Sequence, residues 1–207
     1  MFLKLNYFFF LLAFISCKAR KNESHLSNHL NKIKDVRFKL DLKKCLPKDT
    51  IVNNKISVNY IIQDTSFNVK VQINGTDTLL GFGFDCSAPP GLIPKRYAAN
   101  ENTICLFHGY GQHFREFIIC QLNEKLIHIK KYEVALAFDK QNNNVAFQNY
   151  DSPDSINIEN IKTKKIKTIV LPNDLKYKRI FSATLAKQRL NLKFEDRKTV
   201  SFLIGKN

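Results

Sequence analysis

Phe67-Asn68-Val69-Lys70-Val71-Gln72-Ile73 alternates apolar and polar side chains without a break. Side chains leave a β-strand on opposite faces in turn, so this stretch is a strand with one face buried and one face wet. Asn74-Gly75 follows, the residue pair that tolerates the positive φ of a two-residue hairpin. The return strand is Thr78-Leu-Leu-Gly-Phe-Gly-Phe84, with Leu80, Phe82 and Phe84 on one face and Gly81 and Gly83 on the other. The same cadence continues to the C-terminus. Further short strands are expected at TICLFH, FREFIICQL, KLIHIK, YEVALAF, NVAFQNY, SINIENI, IKTIVLP, RIFSATL, LNLKFED and TVSFLI. Gly109-Tyr110-Gly111, Asn142-Asn143-Asn144 and Ser152-Pro153-Asp154 supply turns between them. Short strands with frequent turns predict an all-β domain, an antiparallel meander forming a sandwich or a partly open barrel. The stretch from Lys125 to Pro172 also has the cadence of a propeller blade, although the chain would supply only about four blades of the usual length.

Apolar residues make up 44% of the chain, enough for a core. The net charge is +15, which permits contact with anionic surfaces. Lysine is spread along the whole chain, with no dense basic block, which reads as AT-rich codon bias. A nucleic-acid interface is not expected, because no aromatic RNA-binding signature accompanies the charge. Walker and Rossmann glycine loops are missing, as is a Gly-x-Ser-x-Gly elbow, so no nucleotide or other cofactor is implied.

The N-terminus reads MFLKLNYFFFLLAFISC. Lys4 precedes an apolar run from Tyr7 to Ile15, far shorter than the ~20 residues that span a bilayer. That is the layout of a secretory signal peptide. Phe14-Ile15-Ser16-Cys17 resembles the lipobox of bacterial lipoproteins. The resemblance implies cleavage before Cys17 and lipidation of its sulfur and new amino group. Several acyl chains anchor a protein firmly where one does so only marginally. Expected organisation is therefore a signal peptide over 1–16, a lipidated cysteine and polar tether over 17–35, and one all-β domain over 36–207. Lys18 stands where an acidic residue would mark inner-membrane retention, so the resemblance places the protein at the outer membrane of a bacterial envelope. The membrane, an envelope protein and an anionic glycan are the expected partners.

Cys45, Cys86, Cys105 and Cys120 form an even set in an exported chain, which allows two disulfides in three connectivities, or four buried thiols. Cys105, His108, His113 and Cys120 also surround one turn, but their spacing matches no zinc module, and no metal is expected. His108 and His113 could serve as general bases beside Arg115-Glu116, but those two neighbours point to opposite faces of a strand.

VKVQINGTDTLLGFGFDCSAPPGLIP resembles the first half of a retropepsin-type aspartic protease: strand, hairpin, strand, then an acid. The resemblance puts Asp85 in the position of the catalytic aspartate and implies a homodimer in which two carboxylates share a proton. Its later apolar-apolar-Gly segment would be Leu203-Ile204-Gly205. Cys86 and Ser87 stand where that family carries a hydroxyl residue and a glycine. The alternative is that Asp85 caps a proline-rich corner by accepting backbone N–H bonds. The expected function is a non-catalytic binding or structural module anchored by lipid, with the Asp85 peptidase as the alternative.

Overall fold

The computed structural model describes residues 44–63, 66–82, 90–110 and 114–205. The lipobox, Cys17, the tether, Asp85, Cys86 and His113 lie outside them. The chain divides into two compact units, Met1–Lys44 and Cys45–Asn207, and every described strand belongs to the second.

The fold is all-β. Among the described residues fifteen strands run in sequence: β1 (Thr50–Asn53), β2 (Ile56–Gln63), β3 (Ser66–Ile73), β4 (Thr76–Phe82), β5 (Lys95–Asn100), β6 (Thr103–Tyr110), β7 (Phe114–Asn123), β8 (Leu126–Tyr132), β9 (Val134–Asp139), β10 (Asn144–Asn149), β11 (Ser152–Asn160), β12 (Ile166–Val170), β13 (Ile180–Ala186), β14 (Arg189–Phe194) and β15 (Thr199–Leu203). Each pairs antiparallel with its neighbour in the chain, apart from breaks after β4, β8 and β12. The result is three four-stranded meanders and a final three-stranded one. One parallel bridge, Arg115 to Val134, joins the second meander to the third. Among the described residues none of the sheets closes into a barrel; they stack face on face.

Three apolar layers hold the stack. The inner face of β1–β4 carries Ile56, Val58, Phe67, Val69, Val71 and Phe82, all buried. It meets the face of β6 and β7 that bears Ile104, Leu106, His108, Ile118 and Cys120; the Phe82 and His108 rings lie 5.5 Å apart, edge to face. The opposite face of β6–β8 packs Cys105, Phe117, Ile119 and Tyr132 against Ala135, Phe138, Val145 and Ile161. The third layer sets Ala146, Ile156 and Ile158 against Leu185, Leu190, Leu192 and Phe194. The central strands β6, β7, β9 and β11 are thus largely buried on both faces. The end sheets turn polar faces outward, such as Asn59, Asn68, Lys70 and Gln72 on the first. Polar outer faces on terminal layers are what a layered stack needs to stay soluble.

Asparagines fasten the turn tips. Asn74 and Gly75 adopt φ of 51° and 84°, as the β3–β4 hairpin requires. The Asn74 amide donates to Asn102 Oδ1 at 3.0 Å, and the Asn100 amide to Asn143 Oδ1 at 2.8 Å, tying the first meander to the second and the second to the third. Asn160 closes the series by donating to Asn144 Oδ1 at 2.9 Å.

Two expected turns differ in the structure. Gly109 and Tyr110 belong to β6 and extend its ladder with β7. Ser152-Pro153-Asp154 opens β11 instead of forming a turn. Proline is tolerated at a strand start, and the chain reverses one step earlier, at Tyr150-Asp151.

Candidate functional site

β11 alternates Ser155, Asn157 and Glu159 with Ile156 and Ile158. The isoleucines enter the third apolar layer. By the ordinary reading of a strand, the polar three should face water. Instead the second meander covers them: Glu159 is only 2% exposed, and Asn157 and Ser155 are 9%. An unpaired buried carboxylate is expensive, so a partner is required. Lys130 of β8 provides it, donating from Nζ to both Glu159 oxygens at 2.8 and 2.6 Å. The lysine stem reaches in from the rim, and its side chain stays about half exposed.

Tyr132 completes the wall. Its ring stacks at a tilt on Phe147, with centroids 5.1 Å apart, and Lys130 Nζ lies 5.0 Å from its centroid. Burial, and then the charge of Glu159, push its phenol well above the usual value. Its hydroxyl lies beside that carboxylate yet makes no hydrogen bond of ordinary geometry. Asn157 Oδ1 accepts from Thr168 Oγ1 at 2.7 Å. These residues border a cleft of about 650 Å³, rimmed by Asn149, Tyr150 and Ile166. That size suits a small-molecule site.

The next residue along β8, Lys131, points to the opposite face. There Glu116 lies directly across from His108 in the β6–β7 ladder. Glu116 Oε1 is 3.4 Å from His108 Nδ1 and 3.9 Å from Lys131 Nζ. Consecutive lysines of one strand therefore each meet a buried carboxylate, one per face. Arg115 leaves β7 the other way and donates to the Phe181 carbonyl at 2.9 Å, so Arg115 and Glu116 do diverge as the strand reading expects.

For Cys105 and Cys120 the structure decides between the two alternatives, bridge or buried thiol. Both are buried free thiols, not bridge partners. In the β6–β7 ladder Cys105 lies opposite Ile119, and Cys120 opposite Ile104. The one-residue offset sends the two sulfurs to opposite faces, which rules out the approach a disulfide needs. It also prevents Cys105, His108 and Cys120 from converging on one metal. Burial pushes the Cys120 thiol up to about 12 and the Cys105 thiol well above its ordinary value. Cys45 is disulfide-bonded, with its partner outside the described residues.

Leu203-Ile204-Gly205 sits at the end of β15. Ile204 is buried in the third apolar layer with residues of β9–β11, while β4, which leads toward Asp85, belongs to the first meander. The structure thus places the two segments of the protease resemblance in different sheets. No protein-family model and no curated protein matches the chain.

Proposed function

We propose that this chain is a lipid-anchored protein of a bacterial cell envelope, held at the outer membrane, whose β body binds rather than catalyses. One observation carries the anchor: Lys4, a short apolar run and then Ser16-Cys17, in the order a lipoprotein signal requires. The cleft supports binding over catalysis. Glu159 gives both oxygens to Lys130, so it is a neutralised acceptor pair and not a free general base. Buried thiols held protonated are likewise poor nucleophiles.

The test feeds an alkyne-tagged palmitate to bacteria that make the full chain. Wild type takes up the tag and Cys17→Ser does not. An untagged wild type, or a tagged Cys17→Ser, defeats the reading.

A further inference from the structure

We propose that the cleft between β8 and β10–β12 is a binding site for a neutral, hydroxyl-rich ligand, a saccharide. The proposal rests on the binding-module reading and gives it a ligand class.

Charge comes first. Apart from Lys131, whose side chain points to the other face, the charged residues bordering the cleft are Lys130 against Glu133, Asp151 and Glu159, two net negative charges, whereas the whole chain carries +15. A site for a polyanion would gather the lysines this chain has in excess; this cleft is one of the places that lacks them. A divalent cation does not fit either, since among the described residues no cluster of three His, Cys, Asp or Glu side chains is placed to hold one.

Hydrogen-bond chemistry comes second. A sugar hydroxyl both donates and accepts, so its natural partners are groups that do the same. Amide side chains border the cleft in Asn149 and Asn157. The Asn157 carbonyl oxygen is engaged by Thr168, and its amide nitrogen has no hydrogen bond among the described residues. Behind them Glu159 is buried and held by both bonds from Lys130, so the floor of the cleft needs no reorganisation to receive a ligand.

Shape comes third. Tyr150 stands at the rim, 62% exposed. A flat aromatic face is the surface on which the C–H side of a pyranose ring can rest, while the ring hydroxyls reach the amides. The cleft volume of about 650 Å³ leaves room for more than one sugar ring.

The experiment titrates the full chain by calorimetry, in a detergent without a sugar headgroup, with maltohexaose, cellohexaose and chitohexaose, and with heparin in parallel. At least one neutral hexasaccharide is expected to bind. Tyr150→Ala, at an exposed turn position, weakens it about tenfold or more. Tyr177→Ala, an exposed tyrosine that does not border the cleft, leaves binding unchanged. Three results overturn the proposal: no neutral hexasaccharide bound at about 10 mM, binding indifferent to both Tyr150→Ala and Asn149→Ala, or heparin bound in a way that Tyr150→Ala abolishes. Each leaves the palmitate result at Cys17 to decide the anchor separately.

Discussion

Replacing Lys130 with methionine removes the partner of Glu159, and the ammonium that lies over the Tyr132 ring, while keeping an apolar stem of similar length. Breaking a buried ion pair from one side costs about 3–5 kcal/mol, because the other charge is left uncompensated. Here the carboxylate is 2% exposed but the lysine side chain is 49% exposed, so water can partly replace the ammonium. That discount lowers the expected cost to about 2–3 kcal/mol. For a domain of this size the urea midpoint falls by roughly 1–1.5 M, and the melting temperature by roughly 5–10 °C. Far-ultraviolet circular dichroism of the β signal follows both. Glu159→Gln added to Lys130→Met restores most of the loss, since a neutral amide buries no charge. Lys178→Met is the internal control. It breaks a 2.7 Å pair with Asp196 in which both side chains are more than 40% exposed, and the midpoint should stay in place. If Lys130→Met unfolds at the same urea concentration as Lys178→Met, Glu159 is not held in the buried setting described, and the floor of the cleft is wrong.

The same contacts set further outcomes. Tyr132→Phe deletes a buried hydroxyl without an ordinary partner, so stability stays level or rises by up to about 1 kcal/mol; a loss larger than that reveals a real bond to Glu159. Gly75→Ala costs about 1 kcal/mol through backbone conformation alone, since φ is +84° and an added Cβ meets nothing within 4 Å; an unchanged midpoint contradicts the hairpin. The raised Cys105 and Cys120 thiols set a pH dependence. The folded chain keeps thiol protons that the unfolded chain releases above about pH 9, so stability is intact below that and falls as pH rises toward 12, by about 1.4 kcal/mol per unit and thiol. Iodoacetamide at neutral pH should modify both cysteines only after unfolding, and peptide mapping should find no bridge between them. Modification of either in the folded protein refutes their burial.

Much of the fold is legible in the sequence. The alternation of β3, the Asn-Gly turn and the short strands from β6 to β15 follow from period-two patterning and turn residues. β2 is missing from the expected strands although Ile56, Val58, Tyr60 and Ile62 alternate openly. β5, Lys-Arg-Tyr-Ala-Ala-Asn, carries no such alternation and exists because β6 offers it an edge. The cleft is hidden for a different reason. Ser-Ile-Asn-Ile-Glu-Asn-Ile presents isoleucine to one side and polar groups to the other, which reads as a half-wet strand. Only the stacking of a second meander over the polar face turns Glu159 into a buried carboxylate and makes Lys130 its partner. Pattern along one strand does not report what covers it. The asparagines make a similar point: Asn74, Asn100 and Asn160 tie turn tips together, work that a bias in composition does not foretell.

The fate of Cys17 decides the anchor most directly, and intact mass spectrometry of the full chain recovered from bacterial membranes reads it. The expected species begins at Cys17 and carries a diacylglyceryl thioether with an acylated amino group. A chain that still begins at Met1, or one that begins at Cys17 with a bare thiol, contradicts the anchor and with it the envelope role.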